Sequence, residues 1–333
     1  METSLLCPPG YTPAFFCHTM YHVLLALLRT RRHCAAGGGK AYLYLAATLP
    51  DVQALAARLR QDGGAWAQVA VVEEPQLDAQ NSESRFYRLR HPRRAPYFTL
   101  PDDAWVYISN DWSACGRFLQ REQVLYTLCE DTVGGTLDPD QHLLTEQRAA
   151  PHPGRQRYQY WGDSPCCRAV ESEDPAQCVI FPPEKLRAFS ARALLHSLTE
   201  AEKAAARAVF VTGPLPGDPA AFAGATLLLP RSFVLDGLMD QAAQDAMFKA
   251  VAEKYADGPL FVKTHPRDET DYAALFPGAT ILSRTMPSEV LNFCLPGKFK
   301  RAVTVQSWVL RGFEAAEETV FLTLEEAKGL AGV

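Results

Sequence analysis

Short runs of β-branched and aromatic residues alternate along this 333-residue chain with segments whose apolar residues recur at helical spacing, and that alternation admits few folds. Repeated β-α units bury themselves as parallel sheets with helices on their faces. In the first half the pattern predicts strands near residues 14–17, 41–47, 68–73, 105–109 and 123–129, with helices in "YHVLLALLRTRR" and "DVQALAARLRQ" between them. Residues 138–198, rich in Pro, Arg, Gln and Ser, read as an irregular excursion or linker. The rhythm then returns: strands in "ARAVFVT", "ATLLLP", "LFVKTH", "ATILS", "RAVTVQ" and "ETVFLT", helices over 241–254, from Pro287 and from Ser307, and a last helix at the end. The expected fold class is therefore α/β, with two Rossmann-like doubly wound domains over 1–200 and 201–333.

Composition removes several function classes. A formal net charge of −5, from 33 basic against 38 acidic residues, marks no surface for nucleic acid, so an anionic ligand must be met by a local site. The nine cysteines include no C-x-x-C pair and read as reduced thiols of a cytoplasmic protein. Cys166, Cys167 and Cys178 with His152 offer metal-ligating atoms at a spacing that fits no zinc template. The start, "METSLLCPPGYTP", lacks the basic and apolar regions of a signal peptide, and no apolar run reaches the ~20 residues a bilayer span needs. A soluble protein, at most peripheral on a membrane, is expected.

In open α/β sheets ligands bind beyond the carboxyl ends of strands, so the polar residues that follow strands carry the functional reading. Four places stand out. In "FFCHTMYHVLLALL" a strand delivers His18 and Thr19 to the start of a helix. Thr19 is either a plain N-cap or part of a site floor. In "LYTLCEDTVGGTL" the adjacent carboxylates Glu130 and Asp131 repel each other, which would raise the pKa of one toward the range of a general base. Gly134 and Gly135 let the backbone approach a ligand. In "FVKTHPRD" Lys263 and His265 share one face of an extended chain, Pro266 ends the ladder, and Lys263 and Arg267 flank the imidazole with positive charge. That arrangement suits an anionic leaving group such as phosphate, with His265 donating to it. In "AVTVQSWVLRGF" Ser307 stands at a helix start, where free N–H groups and a hydroxyl hold phosphate or where serine simply caps. Upstream, Glu289 in "TMPSEVLNF" either bonds ribose hydroxyls or complements the helix dipole.

Other motifs fail. "GGGKA" lacks the spacing and the Ser/Thr of a Walker A loop, and no G-x-S-x-G elbow is present. Asp138 and Asp140 match a metal-binding D-x-D only in letters, since a proline separates them in a polar segment; no metal or other cofactor is expected. The arginine-rich "RLRHPRRAPYF" reads as a solvated loop that could alternatively meet an acidic glycan or lipid headgroups.

In this order the four stretches resemble the bacterial GT-B sialyltransferases: the lipooligosaccharide sialyltransferases of glycosyltransferase family 52 and the related polysialyltransferases. The resemblance runs from about Pro13 to Phe313 and is concentrated in short motifs. It implies two domains facing across a cleft, the first on the acceptor side and the second binding the nucleotide sugar. Glu130-Asp131 fall on the family's acid-acid-Gly motif, whose second acid is a general base. His265-Pro266 fall on the HP motif, whose histidine contacts the phosphate of CMP-sialic acid. Glu289 falls on a ribose-binding glutamate and Ser307 on a phosphate-binding serine. Three positions depart: Thr132 replaces glycine, Met20 replaces proline, and Gln306 precedes the serine. In family 52 the base is an aspartate of the second domain, for which Asp236 is the candidate here. Members of that family form dimers with exchanged domains, which implies a homodimer.

The resemblance implies an inverting transfer of sialic acid from CMP-sialic acid to a galactose- or sialic-acid-terminated glycan, in lipooligosaccharide or capsule synthesis. A nucleoside monophosphate leaving group needs no divalent metal if a histidine and nearby donors meet its charge. Two alternatives remain open: a GT-B glycosyltransferase using another nucleotide sugar, and a degenerate nucleotide- or glycan-binding protein.

Overall fold

The computed structural model describes residues 5–91, 95–137, 158–213 and 215–332. The chain divides into two compact units, Met1–Leu198 and Thr199–Val333.

In the first unit the order is β1 (Thr12–Cys17), α1 (Met20–Ala35), β2 (Ala41–Ala46), α2 (Val52–Gln61), β3 (Trp66–Val72), α3 (Glu74–Ser82), α4 (Arg85–Arg90), β4 (Ala104–Ile108), α5 (Ala114–Arg121), β5 (Tyr126–Leu128), β6 (Cys167–Ser172), β7 (Leu186–Ala188) and α6 (Ala191–His196). The strands form one parallel sheet in the order β3-β2-β1-β4-β5-β6-β7. Sequence order reverses between β1 and β4, so the switch point lies between the loops that follow them. Both faces are covered, and β1 and β2 are accordingly near-continuous apolar runs rather than alternating ones. Aromatic side chains from strand, loop and helix meet in the core: Phe98 packs edge-on against Phe16, Tyr44 and Phe118.

Residues 158–198 are not the irregular excursion that composition predicts. They supply β6, β7 and α6, which extend the sheet. The misreading has a physical cause: "CRAVES" carries charged residues that look solvated, yet Glu171 is buried and held by Arg29 of α1 through two hydrogen bonds of 2.7 and 2.8 Å. The Arg29 guanidinium also lies over the rings of Tyr107 and Phe189. Asp138, Asp140 and His152 lie outside the described residues, as do Pro92, Arg93 and Arg94 of the arginine-rich stretch.

The second unit contains α7 (Glu200–Phe210), β8 (Thr226–Leu229), α8 (Gln241–Tyr255), β9 (Leu260–Lys263), α9 (Tyr272–Leu275), β10 (Thr280–Leu282), α10 (Ser288–Cys294), β11 (Phe299–Val305), β12 (Ala316–Leu322) and α11 (Leu324–Ala331). Its parallel sheet runs β10-β9-β8-β11-β12, so the switch point lies between β8 and β11. Phe222, Phe261 and Phe299 pack together on one face.

Two predicted elements of this unit are corrected. "ARAVFVT" is not a strand but the end of α7: Thr199 and Glu202 form a capping box, and Glu202, Ala205, Ala206, Val209 and Phe210 bury one helical face. The helix expected from Ser307 is a single 3-10 turn, Trp308–Leu310. All nine cysteines carry free thiols, and among the described residues no metal-type cluster includes Cys166, Cys167 or Cys178. Among those residues no helix is long and apolar enough to cross a membrane.

Candidate active site

The residues predicted to act fall into two sets, one at the strand ends of each sheet.

In the first unit, α1 starts directly after β1 because the Thr19 hydroxyl accepts the His22 N–H at 3.2 Å; the N-cap reading of Thr19 is the one the structure shows. His22, in the first turn of α1, is buried, and its Nδ1 accepts the backbone N–H of His18 at 3.2 Å. That contact leaves the proton on Nε2, which hydrogen-bonds to the Asp131 carbonyl oxygen at 3.2 Å and lies 2.9 Å from the Asp131 carboxylate oxygen Oδ1. Asp131 follows β5 with its side chain 45 % exposed overall and its Oδ1 buried against His22.

The adjacent acids separate differently from the expectation that repulsion makes one a raised, available base. Glu130 is pushed up, chiefly by burial, but both its oxygens are occupied. Oε1 accepts from the backbone N–H groups of Thr136 and Glu173 and from the Thr136 hydroxyl, and Oε2 accepts from the Gly134 N–H at 3.2 Å. Glu130 thereby shapes the turn through Gly134, whose φ of 66° suits glycine. For Asp131, burial works upward, yet the contact with His22, together with Asn110 and His18, outweighs it and holds the carboxyl below its ordinary range.

In the second unit the strand ends of β8, β9 and β11 converge. Lys263, the last residue of β9, is buried, and its Nζ donates to the Thr264 carbonyl at 2.8 Å. Burial lowers its pKa to about 8, against the opposing pull of Glu289. His265 Nδ1 accepts the Arg267 N–H at 3.2 Å, which places the ring proton on Nε2. Burial first, then the charges of Arg267 and Lys263, lower the imidazole to about 4. At neutral pH His265 is thus a neutral donor rather than an imidazolium. Pro266 lies in the turn that follows β9, where Asp268 N bonds back to the His265 carbonyl.

Asp236, in the loop after β8, acts electrostatically on the same imidazole and is held by Arg231, Nε to Oδ2 at 2.8 Å. Arg231 also donates to the Gln306 carbonyl at 3.0 Å, joining this loop to the end of β11. Gln306 has a φ of 45°, a conformation that costs a non-glycine residue and that concentrates at functional sites. Ser307 follows, its hydroxyl accepting from Val309 N across the 3-10 turn. Glu289, in the first turn of α10, is pushed up by burial, with Ser288 and Lys263 pulling it down. Lys263 and His265 thus interact electrostatically with Glu289, Arg267 and Asp236, and Arg231 links Asp236 to Gln306, the residue before Ser307.

Sequence reasoning missed two polar residues. His22 was passed over as part of an apolar helix, although its i, i+4 relation to His18 was visible. Asp111, buried after β4, accepts from Trp161 N, Gly162 N and the Tyr126 hydroxyl, and burial raises it to about 6. It looked like any loop aspartate.

No family model matches the chain. An uncharacterized protein of Haemophilus influenzae is 34% identical over 88 residues, a segment covering 24% of this chain and 28% of that protein. The chain therefore matches well under a third of that relative's length. Among solved structures, an alpha/beta-galactoside alpha-2,3-sialyltransferase from the luminous marine bacterium Photobacterium phosphoreum superposes with a TM-score of 0.52 at 10% identity, covering 96% of this chain and 94% of that one. The GT-B domain of a sialyltransferase from Photobacterium damselae aligns over 93% of this chain at 10% identity, with a TM-score of 0.41. Two parallel α/β sheets of seven and five strands give this chain the GT-B fold seen in bacterial sialyltransferases.

Proposed function

We propose that the protein is an inverting sialyltransferase that moves sialic acid from CMP-sialic acid to a hydroxyl of a galactose- or sialic-acid-terminated surface glycan. The observation that carries this reading is the second-unit cluster: a neutral His265 with Nε2–H free to donate, beside the buried cation of Lys263, with Glu289 and Ser307 on neighbouring strand ends. Such a site offers hydrogen-bond donors and one buried positive charge to a singly esterified phosphate, and a half-buried carboxyl to ribose hydroxyls.

Sialic acid leaves through a transition state of oxocarbenium character. As the C–O bond to phosphate breaks, the electron pair goes to the phosphate oxygen, where His265 Nε2–H and Lys263 meet the developing charge. The acceptor hydroxyl attacks the opposite face and its proton passes to a carboxylate, which inverts the anomeric centre. Asp131 is the accessible acceptor of that proton, with His22 as the residue that positions it. The step uses neither Mg²⁺ nor Mn²⁺, so turnover should gain nothing from added Mg²⁺ or Mn²⁺. Cytoplasmic action on membrane-borne acceptors, peripheral membrane contact and a homodimer belong to the same proposal.

A second reading is a nucleotide-binding protein without transfer. What favours it is that both candidate bases are already engaged by a neighbour, Asp131 by His22 and Asp236 by Arg231. Incubation of CMP-sialic acid with a panel of galactosides separates the readings. Product with inverted configuration supports the first; stabilisation by CMP without turnover supports the second; stabilisation by UMP or GMP alone points to another nucleotide and overturns the first.

A further inference from the structure

Three side chains from three different strand ends of the first sheet meet beside its switch point. His18 follows β1, Glu74 opens α3 after β3, and Cys115 lies in the first turn of α5 after β4. One ligand atom from each lies within 4.8 Å of the other two. His18 Nε2 is already 3.4 Å from Glu74 Oε1, and the ligand atoms of a tetrahedral zinc stand roughly 3.3–3.7 Å apart. The Cys115 thiol stands within 4.8 Å of both, so small side-chain adjustments close the set.

A purely structural account leaves a residue. A His–Glu contact explains the pull that His18 exerts on Glu74, and Glu74 also takes the Ala114 N–H at the start of α5. It does not explain the imidazole. Both ring nitrogens of His18 are buried and, among the described residues, neither makes a hydrogen bond of good geometry. Buried polar atoms normally find partners, and an imidazole that lacks them beside a carboxylate and a thiol is what a ligand set looks like without its ion. The Cys115 thiol is 2 % exposed and shielded from oxidants, unlike the partly exposed thiols of Cys34, Cys166 and Cys294.

We propose that His18, Glu74 and Cys115 bind one zinc-class cation, in a site separate from the second-unit cluster and independent of the donor assignment. The donor set selects the metal: one imidazole nitrogen, one carboxylate oxygen and one thiolate suit Zn²⁺ and exclude Mg²⁺ and Ca²⁺, which take oxygen ligands. On binding, the Cys115 thiol releases its proton to solvent, the imidazole stays neutral, and water completes the tetrahedron. The ion cross-links the ends of β1 and β3 to the helix that follows β4. Because the His18 backbone N–H also holds His22, it steadies the residue that positions Asp131.

The test is zinc stoichiometry of the full-length chain, stripped with chelator and titrated against a chromophoric zinc indicator, with Co²⁺ as a spectroscopic probe. The expected result is one equivalent of Zn²⁺ and a thiolate-to-Co²⁺ charge-transfer band. Both should be lost in Cys115→Ser and retained in Cys34→Ser. Zinc should also raise Tm, whereas Mg²⁺ should not. If Cys115→Ser does not fold, Glu74→Gln decides, since losing a direct ligand should weaken zinc binding by at least about tenfold. A wild-type chain that takes up no zinc, or one whose zinc survives in Cys115→Ser or binds Glu74→Gln with unchanged affinity, overturns the proposal.

Discussion

At the scale of single residues, the two sets of strand-end side chains make separable demands on protonation. His22 holds Asp131 ionised, so His22→Gln should raise the Asp131 pKa and move the acid limb of the pH–rate profile to higher pH, with CMP affinity unchanged. Asp131→Asn should suppress transfer by ~10²-fold or more, the ordinary worth of a placed general base. Normal transfer by Asp131→Asn together with its loss in Asp236→Asn would move the base to the second unit. Lys263 is charged only below about pH 8, so CMP affinity should weaken by about tenfold per pH unit above that value, measurable by calorimetry. Stability has its own sign. The unfolded lysine binds more protons than the folded one between about pH 8 and 10.5, so the penalty of burying this charge is relieved as pH rises through that window. His265, with its value near 4 against an ordinary 6.5, is neutral in the folded chain; stability from this group is intact above pH 6.5 and falls as pH drops toward 4. His265→Ala should slow both transfer and hydrolysis of CMP-sialic acid, since both need the phosphate to depart.

At the scale of elements, the strands near β1, β2, β4, β9 and β11 were legible because buried parallel strands are apolar on both faces and end abruptly in polar residues. The same legibility exposed Lys263, His265 and Asp131, whose positions follow from where strands stop. Misreadings arose where a local signal was overruled. The β-branched end of "ARAVFVT" was outweighed by the Thr199–Glu202 capping box at the other end of the helix. The turn after Ser307 is too short for a propensity argument, and the Gln306 conformation that redirects the chain there leaves no trace in residue type. β6 was hidden because its charge is neutralised by a residue 142 positions away. Arg29→Met would leave Glu171 buried and unpaired, and should lower stability by about 3–5 kcal/mol in denaturant unfolding. A loss under about 1 kcal/mol would mean that water reaches the carboxylate.

At the scale of the whole molecule, the proposal assigns the nucleotide to one unit and the acceptor's proton to the other. Hydrogen exchange with saturating CMP should therefore slow amides after β8, β9 and β11 and leave those of the first unit at their free rates. Slowing confined to the first unit would refute the assignment. The parallel sheets carry a further consequence, for synthesis rather than for catalysis. All ten strand pairings are parallel among the described residues, so no strand is closed by a hairpin with the next one made. Ala14 of β1 pairs with Val106 of β4, and at ordinary translation speeds roughly five to twenty seconds separate their emergence from the ribosome. For that interval β1, one of the most apolar segments of the chain, has one open edge, and the nascent protein depends on holdase chaperones or slow, cool expression to reach its central strand pairing unaggregated.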